Sequence, residues 1–276
     1  MMDTATCLLC KKYDNRNKFI YKVEIKPDKE TDFNIPESEY VRYVYKCVSC
    51  GVYYNIQNIL PDDLYESNYN AATYKNKLLK TYSRIMALGE EKSDNKHRVK
   101  RIINFLKSKK LNIEKSSVLD IGSGLCVFLG EFKKHGIYSA CIDPDPLSVE
   151  HALNHVGVNE AYAGKLENFK SNKLFDLITF NKVLEHVIDP IPLLSKARKF
   201  LNENGYIYVE LPDGENALQN GNVMNREEFY IEHFTVYNDK SIKYLANMAG
   251  LTCTGLRSIH EPSDKYTIYA FMKPKI

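Results

Sequence analysis

Beyond residue 116 the apolar positions follow two rhythms. Short continuous runs at VLDIG (118–122), YSACID (138–143), FDLITF (175–180) and YIYVEL (206–211), with a brief one at 160–163, have the length of buried strands. Between them LCVFLGEFKKH (125–135) and PLSVEHALNHV (146–156) carry apolar residues at three- and four-residue spacing, as helices do. The same spacing recurs at Leu193, Leu194, Ala197, Phe200 and Leu201, and at Ile242, Leu245, Ala246 and Ala249, where Gly250 closes the helix. Strand and helix in strict alternation predict an α/β fold with a Rossmann-like parallel sheet covered on both faces. The final strands, within 251–260 and 266–272, follow each other directly and predict an antiparallel edge hairpin.

The first half of the chain has a different texture. YKVEI and YVRYVYK alternate inward and outward side chains as short strands, and they lie between two CxxC pairs. Residues 1–60 therefore form a small β module. Residues 61–92 are rich in Tyr and Asn (Tyr65, Tyr69, Tyr74) without a clean period and predict a linker or covering arm with an irregular helix. Residues 93–276 form the main domain, opened by a helix that Ser93 or Asp94 caps and whose stripe is Val99, Ile102, Ile103 and Leu106. Its other face, with Lys96, Arg98, Lys100, Arg101, Lys107, Lys109 and Lys110, reads as a solvated basic surface.

With 44% hydrophobic residues the chain can bury a full core, and its formal charge of +3 is too small to imply a polyanionic partner. Nucleic acid is not the expected ligand. No apolar run reaches the length of a signal peptide core or a membrane span, so the expected location is the cytoplasm, without membrane attachment. In that reducing compartment the seven cysteines are not a disulfide framework. Cys126, Cys141 and Cys253 fall singly in apolar stretches and read as small buried hydrophobes. Cys7, Cys10, Cys47 and Cys50 instead form two pairs that can bring four thiolates onto one structural Zn2+, although the 36 residues between the pairs exceed the common spacing. Redox pairs or incidental thiols are the alternatives.

The turn after the first strand of the main domain carries Asp120, Gly122 and Gly124 and opens a helix. Glycines there let backbone approach a ligand, and the helix start offers unpaired N–H groups. Asp143, about 20 residues on, ends the second strand, where a carboxylate can bind both hydroxyls of a ribose. Val127 stands where a dinucleotide fingerprint needs Gly or Ala, which argues against NAD or FAD.

Taken together, the acidic-x-Gly-x-Gly turn, the acidic end of the second strand, GKLENF (164–169), and FDLITFNKVLEHVIDP followed by LNENGYIYVELPD resemble the class I S-adenosylmethionine (SAM) dependent methyltransferases. The resemblance implies that Asp120, Gly122 and Gly124 line the methionine end of SAM, Asp143 holds the ribose, and Lys165 and Leu166 border the adenine. CxxC, a hairpin, CVSCG and a Tyr-rich segment further resemble zinc-ribbon-bearing methyltransferases of sugar and surface-polysaccharide pathways. The implied acceptor is a small molecule of sugar type.

Two histidines are candidates for the base that such a transfer to a hydroxyl needs. His186 follows Glu185 directly after FDLITF, at the edge of the sheet, while His233 lies in EEFYIEHF, inside the long insertion before the next helix. A packing role is the alternative for each. No Asn/Asp-Pro-Pro-aromatic motif and no Pro-Cys nucleophile is present, so the patterns that resemble adenine or glutamine amino-methylation and pyrimidine methylation are absent. Oxygen methylation, or carbon methylation of an activated sugar, is expected. The competing readings are a tRNA or rRNA methyltransferase that docks RNA with its ribbon, and a non-catalytic adaptor with the same fold.

Overall fold

The computed structural model describes residues 6–57, 73–220 and 223–275. Its centre is a seven-stranded sheet built from β4 (Ser117–Ile121), β5 (Tyr138–Asp143), β6 (Glu160–Ala163), β7 (Phe175–Asn181), β8 (Leu201–Pro212), β10 (Leu251–His260) and β11 (Tyr266–Pro274). The order across the sheet is β10-β11-β8-β7-β4-β5-β6. β4 to β8 run parallel, and β11 is antiparallel to both its neighbours. This is the Rossmann-like sheet with an antiparallel edge that the apolar rhythm predicts.

Alternation along each strand sends one set of side chains to each face. Val118, Cys141, Leu177, Tyr206 and Tyr208 pack with Val99, Ile102, Ile103, Leu106, Phe128 and Phe132, from α2 (Asp94–Ser108) and α3 (Val127–Phe132). Leu119, Ile121, Ile142, Ile178, Phe180, Ile207 and Val209 pack on the other face with α5 (Pro190–Ala197) and α7 (Asp239–Met248). α4 (Pro146–His151) follows β5, and α6 (Gly214–Gln219) follows β8. Ser93 is the residue that caps α2, its Oγ accepting the Lys96 N–H at 3.2 Å. Among the described residues no helix is long and apolar enough to cross a membrane.

A second, four-stranded antiparallel sheet has the order β1-β2-β3-β9. β1 (Lys18–Val23), β2 (Arg42–Lys46) and β3 (Tyr53–Gln57) come from the cysteine-bearing segment. β9 (Thr235–Val236) comes from the insertion after β8, pairing as Tyr53↔Val236 and Tyr54↔Thr235. One face of the small sheet, with Val52, Tyr54 and Ile56, joins the core beneath α5 and α7; the other packs Tyr53 against Phe229 and Ile231. The amino-terminal β module and the main domain thus share both a sheet and a core. Tyr65 and Tyr69 of the expected covering arm lie outside the described residues, and from residue 73 the chain forms a regular helix, α1 (Thr73–Met86).

The basic face of α2 is only partly solvated. Arg98 and Arg101 turn inward onto Glu210 of β8, which also accepts the Tyr208 hydroxyl at 2.7 Å. Glu210 is fully buried, and burial alone would raise its pKa; the arginines instead hold it below the usual carboxylate range. The expectation of a solvated run fails here because a buried carboxylate on the adjoining strand needs partners, and the helix register supplies two.

A depressed folded-state pKa gives stability that is complete above the unfolded value of about 4.3 and is lost as pH falls through the folded value. Glu210→Ala, which leaves Arg98 with an uncompensated buried charge, is expected to destabilise the protein by roughly 3–5 kcal/mol in urea melts at neutral pH. A midpoint unchanged from wild type would show that the ion cluster contributes nothing.

Candidate active site

The turn after β4 is shaped by its glycines. Gly122 has φ of +70°, and a Cβ added there would lie 2.8 Å from a methyl carbon of Val183. Gly124 has φ of +48°, and a Cβ added there would meet nothing within 4 Å, so this backbone faces open space. Asp143 is nearly buried at the end of β5; its Oδ2 accepts the Gly124 N–H at 2.7 Å and its Oδ1 the Asp145 N–H at 2.9 Å. Burial raises its pKa against these two bonds. Each oxygen keeps a further lone pair, the number that two ribose hydroxyls require.

Asp120 behaves differently from its neighbours. Its Oδ1 accepts Thr179 Oγ1 at 2.6 Å and Asn181 Nδ2 at 2.9 Å, tying β4 to β7, and burial lifts its pKa to about 7. Lys165 borders a cleft with Tyr162, Gly164, Asn168 and Phe169. Leu166 beside it is 2% exposed and packs into the core, so it offers a ligand its backbone rather than its side chain. The donor set and the open backbone at Gly124 fit an adenosyl cofactor.

A second cavity, of about 300 Å³, opens beside this loop, with Lys182, Glu185, His186, Glu232 and His233 in its wall. The turn after β7 serves both places: Val183 abuts Gly122, while Glu185 and His186 reach the cavity. Glu185 is fully buried, neither carboxylate oxygen has a hydrogen-bond partner among the described residues, and burial lifts its pKa to about 7. His186 Nδ1 lies 2.9 Å from the Glu232 carbonyl, and His233 Nδ1 lies 2.9 Å from the Glu228 carbonyl. A carbonyl only accepts, so both Nδ1 atoms carry the proton and both Nε2 atoms carry the lone pair. The rings meet edge to face with centroids 4.7 Å apart. Burial lowers the pKa of His186 to about 4 and that of His233 well below its ordinary value, where the neighbouring His186 adds to the effect.

The two histidines that the sequence offers as rivals therefore share one wall of one cavity. Their ligand atoms and a Glu185 oxygen all fall within 4.8 Å of one another, close enough to share a proton or a cation. Glu232 joins them through its carbonyl, and burial raises its own carboxyl to about 7. Its part is invisible in the sequence, because adjacency to His233 along the chain says nothing about where either side chain points.

The four paired cysteines also converge. Cys7 and Cys50 sulfurs are 3.6 Å apart and those of Cys10 and Cys47 3.7 Å, with all four sulfurs within 4.8 Å of one another. A tetrahedron with Zn–S bonds of about 2.3 Å has S···S edges of about 3.8 Å, and a disulfide would need about 2 Å, so the arrangement fits a tetrahedral metal. Each pair sits on a matching turn: Lys11 N–H donates to the Cys7 carbonyl and Gly51 N–H to the Cys47 carbonyl, both at 3.0 Å, and Lys11 and Gly51 both have positive φ. Asn238, which caps α7, donates to the Gly51 carbonyl at 2.9 Å and seats the second turn on that helix.

A family model described as a methyltransferase domain matches residues 92–256. No curated protein sequence matches this chain. Among solved structures, a SAM-dependent methyltransferase from Clostridium acetobutylicum ATCC 824 is similar, with 15% identity, a TM-score of 0.54, and coverage of 73% of this chain and 99% of that one. The Burkholderia thailandensis 1,6-didemethyltoxoflavin-N1-methyltransferase, with bound 1,6-didemethyltoxoflavin and S-adenosylhomocysteine (SAH), has 14% identity and a TM-score of 0.53, covering 85% and 96%. Magnesium protoporphyrin IX methyltransferase from Synechocystis PCC 6803, with bound SAH, has 11% identity and a TM-score of 0.53, covering 73% and 96%. These structures share the fold, and the family model spans more than half of the sequence. The chain belongs to the methyltransferase-domain family and is a SAM-dependent methyltransferase.

Proposed function

We propose that this enzyme methylates a hydroxyl-bearing small molecule, a sugar, sugar nucleotide or related surface-polysaccharide precursor, at oxygen or at an activated carbon. The observation that carries this reading is the polar chemistry of the cavity beside the cofactor loop. Glu185 and Glu232 present buried oxygens that find no donor among the described residues, and His233 adds an acceptor nitrogen to the same wall. A ligand with several O–H donors satisfies such a wall, whereas a purely apolar one leaves its acceptors unpaired at a cost of about 1–3 kcal/mol each. The Burkholderia thailandensis relative, which carries 1,6-didemethyltoxoflavin, supports an acceptor of small-molecule size. RNA docking is disfavoured because Arg98 and Arg101, from the most basic helix, are spent on Glu210.

In this reading Asp143 holds the ribose, Asp120 braces the strands beneath the loop, Gly122 and Gly124 admit the cofactor backbone, and Lys165 and Leu166 border the adenine. SAM supplies an electrophilic methyl group on a sulfonium sulfur. His233 takes the acceptor proton on Nε2, while its Nδ1–H stays on the Glu228 carbonyl. Glu185 stands beside it and, as a carboxylate, offsets the positive charge that develops, while the His186 ring packs edge-on against it. A structural Zn2+ on Cys7, Cys10, Cys47 and Cys50 holds the small sheet together and takes no part in the transfer.

Three measurements bear on these assignments. Asp143→Ala should weaken SAM binding about 10- to 150-fold in calorimetry, the equivalent of roughly 1.5–3 kcal/mol for bonds to a charged group; an unchanged affinity would remove Asp143 from the ribose. Purified protein should contain about one zinc per chain, and Cys47→Ser should release it with little effect on SAM affinity, a result that retained metal would contradict. With a labelled-SAM screen of sugar nucleotides providing the acceptor, His233→Ala should lower turnover about 10²- to 10⁴-fold at nearly unchanged SAM affinity, while His186→Ala should disturb both. Because burial lowers both histidine pKa values, the neutral base should persist below the ordinary value of about 6.5, and the acid-side loss of kcat should begin only beneath it. Near-wild-type turnover of His233→Ala, with the loss confined to His186→Ala, would move the base to His186.

A further inference from the structure

The segment 228–234, which carries His233, is a tight curl whose backbone groups point inward. The His233 N–H bonds the Tyr230 carbonyl at 2.9 Å, and the Phe234 N–H bonds the Glu185 carbonyl at 2.8 Å. One side chain reaches the carbonyls of Phe229, Tyr230 and His233 together. Asn55 Nδ2 lies 2.7 Å from the His233 carbonyl and 3.3 Å from each of the other two, while the Asn55 N–H donates to the Phe234 carbonyl at 3.1 Å.

Asn55 belongs to β3, in the cysteine-bearing module far from His233 in the chain. It is 1% exposed, and its neighbours Tyr53, Tyr54 and Ile56 are buried too. A buried amide inside such a strand costs stability unless it is used, and here its two N–H donors are used entirely on the curl. A second tie runs in parallel. Glu30, buried and paired with Arg42, accepts the Ile231 N–H at 2.7 Å.

We propose that Asn55 is a positioning residue for His233: its amide, reaching across from the four-cysteine module, holds the curl in the shape that keeps His233 Nδ1 on the Glu228 carbonyl and so presents Nε2 to the acceptor cavity. The inference rests on the reading of His233 as the base, and it makes the small sheet the support behind one wall of the acceptor site. Without the amide, the inward carbonyls of Phe229 and His233 lose this donor and that of Tyr230 keeps only the His233 N–H, the curl opens to find water, and the ring loses its register. A displacement of about 1 Å at a reacting group can cost 10²-fold in rate, so a side chain that never touches the acceptor can still govern turnover.

The test uses the full chain saturated with SAH and labelled with ¹⁵N at histidine, so that long-range ¹⁵N–¹H correlations report which ring nitrogen of His233 holds the proton. Wild type should show a single tautomer protonated at Nδ1. Asn55→Asp, equal in size but with no more than one O–H donor when protonated, and Asn55→Ala should both give a mixed or averaged tautomer signal and faster amide exchange over residues 229–234, with SAH affinity by calorimetry unchanged. Val52→Ala, which thins the opposite face of the same small sheet, in a core cluster that holds no residue of the curl, serves as the control and should leave the tautomer fixed. If Asn55→Ala fails to fold, Asn55→Asp carries the comparison. A fixed tautomer in the Asn55 variants, an equal disturbance in Val52→Ala, or loss of SAH binding in both Asn55 variants would overturn the proposal. Failure of the base assignment looks different: the tautomer would disperse in the Asn55 variants while His233→Ala kept its turnover.

Discussion

Buried backbone must find partners, and the segment 228–234 finds only some of them within itself. Every feature of the acceptor side follows from how that requirement is met. The curl takes donors from the small sheet on one flank, through Asn55. On the other flank it exchanges bonds with the turn after β7, receiving His186 Nδ1 on the Glu232 carbonyl and giving the Phe234 N–H to the Glu185 carbonyl. Because these partners belong to different parts of the chain, satisfying the curl also brings His186 and His233 to the same cavity. The geometry of the site is in this sense a by-product of hydrogen-bond satisfaction, which costs about 1–3 kcal/mol per group when it fails.

The carboxylates of the molecule divide by environment. Glu210 is buried but answered by Arg98 and Arg101 and stays ionised, so it serves as a fastening between α2 and β8. Glu185 is equally buried and has no such answer, and its raised pKa brings it into the range where a proton can come and go near neutral pH. Lys182, between them in space, is itself pulled down by burial while donating to Thr267 Oγ1 at 2.7 Å. Glu185 and the two histidines thus form a wall of neutral or easily neutralised groups, a setting in which an ionised carboxylate and a developing imidazolium attract each other more strongly than they would in water.

How much of this could be read from the residues depended on whether the signal was local. The strands and helices around Asp120 and Asp143 follow directly from apolar rhythm and turn chemistry, and the carboxylate at the end of β5 lies where its spacing requires. The two CxxC pairs converge because each is a short turn whose geometry repeats, so the long gap between them is absorbed by β1 and β2. Arg98 and Arg101 were legible only as positive charges, since nothing near them in sequence announces Glu210. The two-residue strand β9 is too short to have a period, and Asn55 sits in a strand like any other polar residue. Cys126, which opens α3 with φ of 55° and no side-chain cap, likewise breaks the expectation that a helix starts on a capping residue.

The pairing of β3 with β9 has a consequence for the order in which the molecule can be made. About 180 residues of chain separate Tyr54 from Thr235, so the small sheet lacks its outer strand until all of that intervening chain has left the ribosome. Until then β3, rich in tyrosine and buried along its whole length in the finished fold, is an open edge of the sort that recruits strands from other chains. Contacts this distant also make folding slow, since the loop must close before the pairing rewards it. A metal that draws Cys7, Cys10, Cys47 and Cys50 together would give the early segment a local fold to wait in, long before its partner strand is synthesised.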